Sequence, residues 1–184
     1  MKYIYNILLI IFVGCLIVLF VLSPLLFYSF PYLSSQYLGQ FSSLFTTNEL
    51  SHLQDVASIF TTISMIEIVS LSGFAIIFML FVYLKFKKKI VLGFLRGSAI
   101  SLLLILSIII AIFIDFQSLF LSFHYVFFPQ GNRSFDGSSV LIQLFPASFF
   151  EHIAIQSFVI SIILSFGILL LTFYFRKKAS NRGF

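Results

Sequence analysis

Residues 63–84 read ISMIEIVSLSGFAIIFMLFVYL and run directly into Lys85-Phe86-Lys87-Lys88-Lys89. A helix needs about 20 predominantly apolar residues to cross the hydrocarbon core of a bilayer. This stretch has that length, and Glu67 is its single charged side chain. Clustered lysines at the end of an apolar run mark a cytoplasmic boundary. The stretch is therefore read as a membrane span that enters from outside and ends inside. Glu67 lies near its outer end, where an acid is costly unless paired or reached by water. A structural acid and a functional one stay equally open there.

Three more runs have the same character. Residues 5–30 contain no acid or base, and Pro24 is expected to kink the run near its far end. Residues 90–114 follow the lysine cluster, carry Arg96 just inside their start and stop at Asp115. Residues 153–175 lead into Arg176-Lys177-Lys178. Four spans put both termini on one side, and Lys2, the 85–96 loop and the basic tail make that side the cytoplasm. The expected fold is an all-α integral membrane protein, a single membrane domain over 1–184. Its outer segments, 31–62 and 115–152, form a small cap of interfacial helices or short β.

Composition agrees and excludes other classes. A chain of 184 residues that is 60% hydrophobic and 9% charged lies far from soluble averages, as does its mean hydropathy of +1.13. The net charge of +5 does not imply nucleic acid, because nine of the eleven basic residues sit at 85–96 or from Arg176 onward, beside apolar runs. Those residues could also meet anionic lipid head groups, so membrane lipids are partners. The single cysteine, Cys15, excludes an intramolecular disulfide and a cysteine-based zinc cluster. Phe12-Val13-Gly14-Cys15 weakly resembles a lipoprotein cleavage box, but the run continues apolar beyond it, so a retained span is expected.

Polar chemistry is concentrated in the two outer segments. In the first, Thr46 and Glu49 are spaced as a capping box, with Asn48 as an alternative cap. On the helix that follows, His52, Val56, Ile59 and Ile63 share one stripe with Asp55 at its border, which turns His52 toward protein. In the second, Phe116, Leu119, Phe120, Phe123 and Phe127 recur at helical spacing, so 115–128 reads as an amphipathic interfacial helix with His124 at the stripe's edge. Pro129-Gln130-Gly131-Asn132 breaks it, and Arg133-Ser134-Phe135-Asp136 follows. Ser148 and Glu151 are again spaced as a capping box opening the last span, with His152 at its mouth.

An enzyme nucleophile needs a Ser, Cys or Thr with a base in reach. Cys15 lies too deep for that, and no Gly-Xaa-Ser-Xaa-Gly elbow is present. His52, His124, His152 and Asp55 offer zinc-type donors, but without an HExxH-type pair the pattern is weak, and no metal or cofactor is assigned. Histidine suits general acid/base work near neutral pH, and two can divide proton transfer from charge stabilisation. The plainer alternative is that each histidine only bridges loops by hydrogen bonds. His152 is left with that role.

The blocks Ser51-His52-Leu53-Gln54-Asp55-Val56, Phe123-His124-Tyr125-Val126-Phe127-Phe128-Pro129-Gln130-Gly131-Asn132, Phe135-Asp136 and Leu144-Phe145-Pro146…Phe149-Phe150 resemble the bacterial lipoprotein intramolecular transacylases. The resemblance extends over the four-span layout. It implies an acyltransferase that moves an acyl chain from the diacylglyceryl group of a lipoprotein's N-terminal cysteine onto that cysteine's α-amine, giving the lyso-form. The nucleophile then belongs to the substrate, and a diacylated lipoprotein is the partner. The family's two essential histidines map onto His52 and His124. Asp55, Asn132, Phe135 and Asp136 are expected as orienting or substrate-binding groups, and Arg133, off the family pattern, either holds the ester carbonyl or a lipid phosphate or is a solvated loop arginine. One position departs from the pattern: Arg133 stands where an aromatic tryptophan usually follows Gly-Asn, which puts substrate fit in doubt. The reading from a different class is a non-enzymatic membrane scaffold or lipid-binding accessory protein.

The orientation is testable. In a Cys15→Ser background, Ser51→Cys and Gly131→Cys should react with an impermeant thiol reagent applied from outside, and Ser180→Cys should not. Labelling of Ser180→Cys alone would reverse the topology.

Overall fold

The computed structural model describes residues 2–33, 42–131 and 133–180. Among the described residues, five α-helices follow in order: α1 Lys2–Leu33, α2 Thr47–Tyr83, α3 Lys87–Phe127, α4 Val140–Leu144 and α5 Ala147–Ser180, with a 3-10 turn at Ser42–Leu44 before α2. Four of the helices are long and apolar enough to cross a membrane. Among the described residues there is no strand, so the cap is made of helices and turns and the short β considered from the sequence does not form there. This follows from solvent: backbone groups near hydrocarbon must be satisfied within their own segment.

The spans and their outer extensions are continuous helices rather than separate elements. α2 has 37 residues and α3 has 41. At about 1.5 Å per residue that is roughly 55 and 60 Å, against a hydrocarbon core of about 30 Å. Each therefore carries an extra-membrane length, and these lengths hold His52 and His124. α3 is broken at Asp115, the residue at which the third apolar run stops. Asp115 alone is non-helical within α3, at φ −161° and ψ 84°. Its carboxylate accepts the Ser118 N–H at 2.9 Å, so it restarts the outer part as an N-cap would. α1 continues through Pro24 as one helix to Leu33. α5 begins at Ala147, directly after Pro146, so Ser148 falls inside the first turn and not at the cap expected of it.

α1 is the central helix. It packs against α2, α3 and α5, whereas α3 and α5 form the most extensive pair and α2 touches α3 little. The core lies toward the lysine-rich end, where Leu9, Phe12, Val13 and Leu16 of α1 meet Ile77 and Phe81 of α2. Phe12 is fully buried, stacked on Phe74 at 5.1 Å and edge-on to Phe94 at 5.5 Å. Small residues let helix backbones approach where lipid gives no hydrophobic drive to associate. Ser98 and Ser101 on α3 and Ser157, Ser161 and Ser165 on α5 are all fully buried. Ser98 and Ser161 donate to their own helix, to Phe94 O at 2.6 Å and Ser157 O at 2.9 Å. Outward, Ile76, Met79, Tyr83, Phe113 and Ile114 are exposed, as a lipid-facing surface requires.

Gly93 and Gly97 make the α1–α3 approach possible. A Cβ at Gly93 would lie 2.5 Å from Phe12 Cδ1, and one at Gly97 would lie 3.0 Å from Leu16 Cβ, whereas nothing is within 4 Å of one at Gly14. Phe12 is held on several sides and has nowhere to go. Gly93→Ala should therefore destabilise the bundle by about 1–3 kcal/mol, the usual range for overpacking. Gly14→Ala should be neutral or stabilise by up to about 1 kcal/mol through helix propensity. Thermal unfolding of the two variants in detergent checks the contrast.

Candidate functional site

The site begins with the start of α2. The Thr46–Glu49 capping box forms in full: Thr46 N–H and Oγ1–H donate to Glu49 Oε2 at 2.7 and 2.8 Å, and Glu49 N–H donates to Thr46 Oγ1 at 3.3 Å. The cap fixes the first turn, and His52 follows one turn later, 6% exposed beside buried Leu53. The inward orientation expected from the stripe is what the helix gives.

Glu49 also does something that its spacing in the sequence did not signal. Its other oxygen, Oε1, accepts the Ser139 hydroxyl and the Leu141 N–H, the latter at 3.2 Å. One carboxylate, 3% exposed, thus ties the start of α2 to the segment around α4. These donors, Ser139 Oγ first and the Thr46 N–H second, pull the Glu49 carboxyl down to about 2. No sequence signal could have found the link, since its partners lie 90 and 92 residues away.

The histidines meet. The His52 and His124 rings are 5.8 Å apart between centroids and within 16° of parallel. Around them is an aromatic shell. His52 contacts Phe128 at 4.5 Å and Phe135 at 5.3 Å, and His124 contacts Phe120 at 4.2 Å and Phe123 at 5.6 Å. His124 Nδ1 lies 2.8 Å from the Phe120 carbonyl oxygen. A carbonyl only accepts, so this nitrogen carries a hydrogen, and in the neutral ring Nε2 is left with a lone pair.

The remaining candidates surround the pair in distinct ways. Asp55 Oδ2 accepts from Gln130 Nε2 at 2.8 Å, which anchors the turn after α3 to α2. Gly131 sits in that turn at φ +95°, a conformation that suits glycine. Arg133 donates from Nη1 to the Phe128 carbonyl at 2.9 Å, and its guanidinium lies over the Tyr125 ring at 4.2 Å. Asp136 accepts the Ser138 N–H at 3.0 Å and the Ser138 hydroxyl at 3.2 Å, which holds its carboxyl below the usual range. Asn132 lies outside the described residues. His152 is exposed, and its Nδ1 is engaged by the Ser148 carbonyl at 2.6 Å. Among the described residues no three His, Cys, Asp or Glu side chains gather as a metal set. A hollow of about 290 Å³ lies beside the pair and not at it, lined by Thr46, Glu49, Phe135, Asp136 and Ser139 among others.

Four membrane-crossing helices that bring two imidazoles together inside an aromatic shell define a polytopic membrane protein with the parts for acid/base chemistry. The sequence signature of the family described as lipoprotein intramolecular transacylase Lit matches residues 27–150, about two thirds of the chain. The chain belongs to that family. Its fold is similar to that of the membrane integral lipoprotein intramolecular transacylase Lit from Bacillus cereus, with 17% identity, a TM-score of 0.78, and coverage of 98% of this chain and 99% of that one. At that identity the likeness is one of fold. No curated protein sequence matches significantly.

The depressed Glu49 carboxyl makes the cap pH-dependent with a definite sign. A carboxyl with a lowered folded-state value adds stability above its ordinary value, near 4.5, and loses that contribution as pH falls toward about 2. Amide exchange at Leu141 should therefore be slow and constant above pH 4.5 after correction for intrinsic rates, and protection should fall below it. Glu49→Gln should remove the pH dependence and leave exchange faster throughout.

Proposed function

We propose that this chain is a lipoprotein intramolecular transacylase that moves an acyl chain from the diacylglyceryl group of a substrate's N-terminal cysteine to that residue's α-amine. His52 and His124 carry the reaction, at the outer face of the membrane. The observation that carries this reading is the imidazole pair, contributed by two separate helices and held 5.8 Å apart. An imidazole hydrogen-bonds in its own ring plane, and two near-parallel rings at this spacing can direct their nitrogens toward one group beside the pair. Both rings can then serve one reacting centre.

The Nδ1–Phe120 contact favours His124 as the base, because it leaves Nε2 as the acceptor. His124 Nε2 takes a proton from the attacking amine as its nitrogen bonds to the ester carbonyl carbon. His52 donates a hydrogen bond to the oxyanion that forms. Collapse breaks the bond from the carbonyl carbon to the glyceryl oxygen, which takes the proton from the His124 imidazolium. The products are an amide on the cysteine nitrogen and a free glyceryl hydroxyl, so atoms and charge balance. No covalent enzyme intermediate is needed. In support, Cys15 lies against Gly73 of α2, 3.3 Å from a Cβ built there, which is 21 positions beyond His52 or roughly 30 Å along the helix. The phenyl rings around the pair keep water from competing for the ester.

Asp55, through Gln130, and Asp136, through its own turn, hold the surrounding loops, and Phe135 walls His52. The placement of the basic residues supports the outer-face assignment: ten of the eleven are Lys2, the 85–96 loop and the tail from Arg176, and Arg133 alone lies in the segments 31–62 and 115–152.

Mass spectrometry of the N-terminal peptide of a lipoprotein co-expressed with this chain tests the reading. A lyso-form with an N-linked acyl group is expected, and an unchanged diacylglyceryl peptide would favour the scaffold. Activity should survive EDTA, and His152→Ala should keep substantial activity. Chelator-reversible loss, or an inactive His152→Ala protein of normal abundance, would replace this reading with a three-histidine metal site.

A further inference from the structure

Phe128 closes α3 as its C-terminal cap residue and is 1% exposed. Its ring touches both imidazoles, at 4.5 Å and 48° to His52 and at 5.3 Å and 36° to His124. Phe123 covers another edge at 6.2 Å. In an interior packed at crystal-like density, neither imidazole can tilt toward Phe128 without displacing it. The spacing of the two histidines therefore depends on where this phenyl ring stands.

The backbone of Phe128 is fixed on both sides. Its N–H donates to the His124 carbonyl at 2.9 Å, and its own carbonyl accepts from Arg133 Nη1 at 2.9 Å. The last carbonyls of a helix have no partner in the helix and carry partial negative charge, so a guanidinium suits this one on both counts. The Arg133 guanidinium itself lies over the ring of Tyr125 at 4.2 Å, which is one turn before Phe128 on α3. Arg133 thus locks the end of α3 to its own side chains.

We propose that Phe128, locked by Arg133, is a positioning residue that sets the gap between His52 and His124. The proposal rests on the reading that these two imidazoles carry the reaction. It gives Arg133 a task that needs no contact with substrate, and it separates Phe128 from the rings that shield the ester.

The test uses the full chain in membranes or detergent, with a diacylglyceryl lipoprotein as substrate and initial rates of lyso-form production measured against substrate concentration. Phe128→Leu keeps an apolar side chain and removes the flat ring. It should lower kcat by roughly 10–100-fold, as a misplacement of catalytic groups does, with KM within about twofold of wild type. Arg133→Gln should lower kcat by about threefold or more in the same pattern. Combined with Phe128→Leu it should cost less than about twofold further, since both act through one ring. Wild-type kcat in Phe128→Leu overturns the proposal, and so does a raised KM with kcat intact, which would make Phe128 a substrate contact. Independent, multiplying losses overturn the part given to Arg133. If Phe128→Leu fails to accumulate, Arg133→Gln decides alone, and unchanged kcat there overturns the proposal. Measured alongside, His52→Ala and His124→Ala that keep transfer would overturn the site reading and this proposal with it.

Discussion

The end of the bundle away from the lysine-rich loop depends on one carboxylate. Glu49 caps α2 through Thr46 with one oxygen and receives Ser139 Oγ and the Leu141 N–H with the other. Hydrogen bonds to an ionised acceptor are roughly twice as strong as neutral ones, and here four donors converge on a single buried group. The two outer segments are separate in sequence and joined by long membrane helices. Besides this link, the Phe135–His52 ring contact and the Gln130 hydrogen bond to Asp55 hold the loop bearing Phe135 and Asp136 near α2.

The second constraint is the break at Asp115. A straight continuation of α3 would carry His124 along the axis set by the membrane-spanning part. The extended backbone at Asp115 changes the direction of the outer part, and the Asp115–Ser118 bond restarts the helix there. His124 then faces His52 while each stays on a rigid helix. Placing reactive groups on helices and leaving loops to supply the walls holds geometry better than a site built on loops alone. The aromatic residues complete the arrangement, with Phe120, Phe123 and Phe135 making an apolar surface around two polar rings and Phe128 against both of them.

Much of this was legible in the sequence, because the signals were local. The four apolar runs, the Thr46–Glu49 cap, the stop at Asp115 and the inward face of His52 each follow from spacing within a few residues. What was not legible was of two kinds. The second task of Glu49 and the Gln130 hydrogen bond to Asp55 join residues 75 or more positions apart, and no periodicity encodes such pairs. The other kind is competition between local signals. Ser148 and Glu151 have capping-box spacing, but α5 starts at Ala147, directly after Pro146 with its fixed φ, two residues too early for Ser148 to be the cap. Arg133, in the loop after α3, reaches back to the Phe128 carbonyl at the end of that helix, which no local pattern signals.

The central claim is that His52 and His124 act as a unit on one reacting centre, and a double-mutant comparison tests it most directly. His52→Ala and His124→Ala should each lower lyso-form production by roughly 10²–10⁴-fold, the usual range for general acid/base groups. All variants should insert at wild-type abundance. The double variant should be little worse than the more damaged single one, because groups that serve one step are strongly non-additive. Losses that multiply in the double variant, or substantial activity in either single one, would contradict the account.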